Sequence, residues 1–187
     1  GSAEITSREV VRAIYPQLAE RPGQEIEEKR AVVGLSDDQS FRRAQCCQPV
    51  PGERIVGITF RGQGVVVHAI DCDVLANYED QPERWIDLHW AEGTHKPIHT
   101  VTFDATITND AGVLGRLCTL IGEQDANISD LVFIDRKPDY YRLLIEVDLR
   151  DVEHMHRVMT ALEAESNVSS IARHRDPERA AAVERQR

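Results

Sequence analysis

Aromatic side chains make up only 5% of this 187-residue chain, too few for extended base-stacking platforms. Positive charge is also short: 22 lysines and arginines face 32 aspartates and glutamates, a formal net charge of −10. The chain as a whole repels polyanions, which argues against a free-standing nucleic-acid binder and leaves room only for a local basic face. No apolar run approaches the ~20 residues of a membrane span, and no signal-peptide pattern precedes the first helical stretch. A cytoplasmic protein without membrane attachment is expected. Cysteine is sparse, at Cys46, Cys47, Cys72 and Cys118. Without an export signal these point to thiols and not to a disulfide framework.

What is present divides into four stretches. Residues 1–30 hold a helical pattern, "TSREVVRAIYPQLAE", with Ser7 as N-cap and Val10, Val11, Ile14 and Leu18 as its apolar stripe, followed by the charged linker "RPGQEIEEKR". Residues 31–92 read as a small, mostly β domain. "RIVGITF" and "GVVVHAI" are β-branched runs joined by a glycine-containing turn, "CDVLANY" gives helical turns, and "WIDLHW" alternates as a strand. Residues 98–175 carry the clearest pattern. Val101, Phe103, Ala105 and Ile107 alternate as a strand, and Val113, Leu114, Leu117, Leu120 and Ile121 repeat at helical spacing. Two strands follow around "NISDLVFID" and "YRLLIEVDL", then a helix with Val152, Met155, Met159 and Leu162, then the strand "VSSIAR". The order β-α-β-β-α-β with right-handed crossovers gives a ferredoxin-like, four-stranded antiparallel sheet with both helices on one side. Residues 176–187 form a charged, alanine-containing tail. The fold class is α+β.

The stretch "TNDAGVLGRLCTLIGEQDANISDL", with its Asp-x-Gly-x-Leu turn, helix and following Ala-Asn-Ile, resembles an ACT domain, the small amino-acid-sensing module. Residues 44–75, "AQCCQPVPGERIVGITFRGQGVVVHAIDCDVL", resemble the ribosome-intersubunit domain, also called a zinc-finger domain, of long RelA/SpoT homologues. The two modules in this order resemble the regulatory end of such an enzyme. The resemblance implies a parent protein that makes and degrades the alarmone (p)ppGpp and binds ribosomes and tRNA. It also implies an ACT module that pairs as a homodimer and binds its ligand at an interface between paired domains. Neither catalytic half is expected in these residues. Two positions depart from the pattern: Ala69 stands where an arginine often follows the histidine, and Gln48 where a histidine is common. Both remove an RNA-facing cation or ligand.

A free amino acid is a zwitterion, so its site needs donors for the carboxylate and acceptors for the ammonium. Helix N-termini offer unpaired N–H groups, and Gly112 admits a ligand to that backbone without a Cβ in the way. The ligand-binding set expected from this reasoning is Asn109, Asp110, Ala111, Gly112, Val113, Leu114, Asn127 and Ile128, with the side chains of Asn109, Asp110 and Asn127 supplying oxygens. Val113, Leu114, Ile128 and Val132 suggest an aliphatic pocket, hence valine or isoleucine, with no other cofactor. The alternative on pattern alone is structural: Asn109 or Asp110 as N-cap, Gly112 as a turn residue and Asn127 as the left-handed residue leaving the helix.

Cys46, Cys47, His68 and Cys72 are candidate zinc ligands. Adjacent cysteines on an extended chain point to opposite faces, however, so buried thiols packing a small β domain are expected instead of a metal. His95, His99, His154 and His156 are expected to be solvated. Arg42, Arg43, Arg54 and Arg61 cluster in sequence around the Cys-Cys run and are RNA-contact candidates if they share one face. The functional alternatives are an amino-acid-responsive regulatory region, an ACT module serving only dimerisation and ribosome or tRNA docking, and an RNA-binding module.

Overall fold

The computed structural model describes residues 31–36, 39–62, 64–92 and 98–176. The helix expected over residues 6–20, His95 and nearly all of the tail lie outside the described residues.

The first module is a five-stranded sheet built from β1 (Val32–Val33), β2 (Phe41–Arg43), β3 (Ile55–Phe60), β4 (Gly64–Ala69) and β5 (Trp85–Trp90), in the order β1-β5-β3-β4-β2. β3 and β4 form the expected antiparallel hairpin, with Phe60 opposite Gly64. Gly64 has φ +78, and a Cβ there would lie 2.2 Å from the Ser40 carbonyl oxygen, so the turn admits no side chain at that point. A 3₁₀ helix, Asp73–Tyr78, supplies the expected helical turns. β1 and β2 were not foreseen, because "VV" and "FRR" are too short and too charged to show a period. β2 runs parallel to β4.

The central strands β3 and β4 are buried on both sides. Val56, Ile58 and Val66 join Cys46, Cys47, Cys72, Leu75 and Tyr78 on one face. Ile55, Val65 and Val67 join Val32 and Leu88 on the other. Two-sided burial is why the strands read as continuous β-branched runs and not as alternation.

The second module comprises β6 (His99–Thr108), α1 (Val113–Glu123), β7 (Asn127–Arg136), β8 (Tyr140–Leu149), α2 (Val152–Glu163) and β9 (Val168–Arg173). Its sheet order is β7-β8-β6-β9, antiparallel throughout, which is the expected ferredoxin-like arrangement. One face is core: Val101, Phe103, Ala105 and Ile107 of β6 and Leu143, Ile145, Val147 and Leu149 of β8 are fully buried against Leu117, Ile121, Val158 and Leu162 of the helices. The other face carries Asp104, Thr106, Arg142 and Glu146, and Arg142 donates to the Asp104 carboxylate.

Two histidines depart from expectation. His154 is 1% exposed. Its Nδ1 faces the Arg150 N–H at 3.2 Å, and its Nε2 lies 2.7 Å from the Gln124 carbonyl oxygen. The ring thus ties the start of α2 to the exit of α1, a role that helical periodicity does not disclose. His99, 3% exposed, packs its ring against Trp90 at 5.9 Å between centroids, where the two modules meet. Burial, with the positive charge of Arg43 beside it, pushes the His99 imidazole down to about 4.

Candidate functional site

The turn between β6 and α1 is open. Gly112 is the N-cap of α1, with φ +87, and no side chain caps the helix. A Cβ built there would meet nothing within 4 Å, so glycine is required by its backbone angle and not by crowding. The Val113 N–H turns back to the Asp110 carbonyl at 3.3 Å. The next amides lead into the helix without a partner in the preceding turn, the arrangement that receives an anion. Asn109 is not the N-cap. Its side-chain amide donates to the Lys137 and Pro138 carbonyls, both at 3.1 Å, and its N–H to Asp139, so it fastens the turn to the β7–β8 hairpin. The left-handed residue leaving α1 is Asp125, with φ +57, not Asn127.

The structure does not bring the whole expected ligand set together within one chain. Asn109 through Leu114 lie at the end of the sheet where Thr108 pairs with Tyr140. Asn127 and Ile128 lie at the other end, where Asn127 pairs with Asp148, itself opposite Thr100. The eight steps from Thr100 to Thr108 span about 27 Å of extended strand. Asn127 is exposed, and its amide donates to the Asp148 carboxylate at 3.0 Å. Among the apolar residues expected to line a pocket, Val113 is core, while Leu114 and Ile128 pack against it from opposite ends of α1. Val132 is 46% exposed, paired with Leu144, and joins neither.

The four zinc candidates do converge. Cys46 Sγ is 3.5 Å from both Cys72 Sγ and His68 Nδ1, and 4.0 Å from Cys47 Sγ. Cys47 Sγ is 3.9 Å from His68 Nδ1, and all four ligand atoms lie within 4.8 Å of one another, every residue buried. A tetrahedral zinc ion with Zn–S near 2.3 Å and Zn–N near 2.0 Å separates its ligand atoms by roughly 3.5–3.8 Å. The residues therefore fit one such ion. The argument from diverging side chains fails because residues 45–47 form a turn and not a strand.

The surroundings treat the three thiols unequally. The Ala69 N–H points at Cys47 Sγ from 3.4 Å. Beside Cys46 and Cys72, and desolvated, the Cys47 thiol is pushed far above its usual range, while contacts from Cys46 and Cys47 draw Cys72 far below its own. Without a cation the cluster carries a single thiolate, on Cys72, while Cys46 and Cys47 are pushed up and keep their protons; a bound cation would let all three ionise.

The four arginines share no face. Arg54 and Arg61 flank β3 at its opposite ends, roughly 23 Å apart along extended chain. Arg42 is exposed, while its neighbour Arg43 turns inward to the Pro49 carbonyl at 3.1 Å. Sequence clustering did not become spatial clustering.

What sequence reasoning missed is the seam between the modules. Arg173, at the end of β9, places its guanidinium between the Glu53 carboxylate and the Gln48 carbonyl. Both partners of that ion pair are largely buried, at 8% and 14% side-chain exposure. Gln48 occupies the left-handed region, φ +45, and its carboxamide accepts from the Thr102 N–H and donates to the Thr102 hydroxyl. Only the departure at Gln48 from the family pattern hinted at such a role.

Comparison with known proteins agrees with this architecture. Residues 30–91 match the family model described as the RelA/SpoT RIS domain, and residues 96–173 match an ACT domain model. The chain is 34% identical over 125 residues to a GTP pyrophosphokinase rsh of Brucella suis, covering 66% of this chain and 17% of that protein. It is 26% identical over 133 residues to the bifunctional (p)ppGpp synthase/hydrolase SpoT of Escherichia coli, covering 71% of this chain and 19% of that protein. The chain thus spans under one fifth of the length of these relatives. A crystal structure of the ACT domain from a GTP pyrophosphokinase of Chlorobium tepidum overlays with a TM-score of 0.37 at 14% identity, over 41% of this chain and 99% of that one. Among the described residues no helix is long and apolar enough to cross a membrane. With the two domain models matched in tandem over most of its length and relatives that bear the same family's names, the chain belongs to the RelA/SpoT family, as a regulatory region composed of a RIS domain and an ACT domain.

Proposed function

We propose that this chain is the non-catalytic regulatory region of a (p)ppGpp synthetase/hydrolase, and that its ACT domain binds a branched-chain amino acid, valine or isoleucine. The observation that carries the reading is the uncapped, glycine-led start of α1, whose amides are free to receive a carboxylate. Because Gly112 and Asn127 sit at opposite ends of one sheet, the complete site forms across a homodimer. The Gly112 turn of one protomer then faces Asn127 and Ile128 of a second copy. The ligand's acid group takes the α1 amides, its ammonium takes side-chain oxygens, and its aliphatic body reads size through Leu114 and Ile128. One methylene in such a pocket discriminates by about 1–3 kcal/mol, so valine, isoleucine and leucine compete. Binding favours one arrangement of the regulatory region and biases the parent enzyme toward hydrolysis, while ribosome and tRNA serve as partners of the full protein.

Calorimetry with valine, isoleucine and leucine tests this. Binding at micromolar to millimolar affinity is expected, and Gly112→Asp abolishes it by straining the backbone and placing negative charge where the carboxylate sits. Mixing Gly112→Asp with Asn127→Ala protein restores part of the heat, because heterodimers rebuild one intact site. Absence of heat with every aliphatic amino acid, alongside a dimer in sedimentation, would favour the second reading: an ACT module used only for dimerisation and docking to ribosome or tRNA. The engagement of Asn109 by the Lys137 and Pro138 carbonyls favours that alternative, since it gives the turn a purely structural task.

The RIS cluster is read as a structural zinc site held by Cys46, Cys47, His68 and Cys72. The ion would neutralise the ionised sulfurs and cross-link the 44–48 turn to the end of β4. Its support is the convergence of four buried ligand atoms. Elemental analysis of protein purified without chelator is expected to find one zinc per chain.

A further inference from the structure

The loop from Ala44 to Glu53 is gripped from two sides. On the RIS side it carries Cys46 and Cys47 into the sulfur cluster. On the ACT side nearly every residue after them is held. Gln48 accepts from the Thr102 N–H and donates to its hydroxyl just beyond the last register pair of β6 with β9, while the Thr102 carbonyl accepts from the His174 N–H. Val50 is fully buried in the ACT core. The Pro51 carbonyl accepts from the Val152 N–H at the start of α2, at 2.9 Å. A Cβ on Gly52 would lie 2.7 Å from Val152 Cγ1. Glu53 receives Arg173 and also the Val50 N–H at 2.6 Å, closing the loop on itself.

The strand end returns the grip. Beyond Arg173, Arg175 donates to both the carbonyl and the carboxylate of Asp71, the residue before Cys72. The Asp176 N–H then reaches the Cys46 carbonyl at 3.2 Å. Two of the four cluster residues are thus contacted, directly or through a neighbour, by the last residues of the ACT sheet.

From this geometry we infer that metal ligation in the RIS cluster and seating of the ACT sheet are one linked equilibrium, transmitted by the 44–53 loop with Arg173 and Gln48 as its positioning residues. The inference rests on reading the cluster as a metal site. Linkage is reciprocal: if ligation tightens the seat, the seat must tighten ligation by the same factor. A loop whose one end is fixed by four ligands and whose other end lies in a packed core has little room to move one without the other.

Two measurements on the full chain test it. Chelation of zinc is expected to raise hydrogen exchange not only at the cysteine turn but at residues 98–102 and 168–176, more than 20 positions away from any ligand in sequence. Zinc affinity, measured by chelator competition, is expected to fall about tenfold or more in Gln48→Ala. The same fall is expected in the paired variant Arg173→Met with Glu53→Gln, which leaves no buried charge unpaired. Arg61→Ala, at the far hairpin, serves as control with unchanged affinity. Zinc bound by both latch variants as tightly as by the native chain, with exchange at 98–102 and 168–176 indifferent to chelator, overturns the coupling and leaves the metal site standing. Failure of the native chain to take up zinc at all removes the metal site and the coupling together.

Discussion

The two sheets of this chain solve the same problem differently. The ACT sheet buries one face under two helices and leaves the other open, where Asp104, Thr106, Arg142 and Glu146 share the surface with Val132 and Leu144, so a single continuous core holds it. The RIS sheet buries both faces of its central strands, yet each under a small cluster, and one of those clusters is built around three cysteines and a histidine. A module of about sixty residues has little core to spare, and sulfur ligation is a common substitute for missing apolar area. On the proposed zinc reading, stability in this chain has two origins, one distributed over a core and one concentrated at a point.

The sharpest way to break that comparison is Cys47→Ala. A point-like origin predicts that the RIS domain loses its metal and its cooperative unfolding altogether, whereas the ACT transition survives at lower temperature; calorimetry distinguishes this from a uniform shift of one transition.

Next comes pH. His99 titrates at about 4 in the folded chain against an ordinary 6.5, so the unfolded state binds the extra proton between those values. Stability from this group is complete above pH 6.5 and is lost as pH falls toward 4, by at most roughly 3 kcal/mol. Denaturant titrations of the native chain and of His99→Leu should diverge across that window and run parallel above it.

A smaller effect is expected from Gly57→Ala. The new methyl would meet Val65 at 2.6 Å and Leu88 at 2.7 Å inside the two-sided sheet, costing about 1–3 kcal/mol in urea unfolding. The least effect, and of opposite sign, belongs to Gly122→Ala in α1. Its Cβ meets nothing within 4 Å, and removing a helical glycine stabilises by up to about 1 kcal/mol.

The same contrast governs what could be read from sequence. Alternation in β6 and β8 and the helical stripes of α1 and α2 disclosed the ACT topology, because one-sided burial writes a period into the chain. Two-sided burial in β3 and β4 left only apolar runs, which revealed strands without their neighbours; β1 and β2 were invisible. The cysteines were found and their convergence was not, because it depends on a turn at residues 45–47 that spacing rules for strands misjudge. Residues of the Gly112 turn were identified by type, but their distance from Asn127 follows only from which end of β6 each one flanks. The latch through Arg173, Glu53 and Gln48 joins positions 120 and 125 residues apart, and nothing local marks such a pair.

Burial of both sides of the central β3–β4 hairpin has a further consequence for how large molecules can touch the RIS domain. With β3 and β4 already covered, the exposed positions open to such a visitor include the Arg61 and Gly62 tip, β2 with Arg42, the helical margin near Asn77, and Asp87 and His89 on β5. A footprint on this domain is therefore assembled from separate exposed positions around a covered centre.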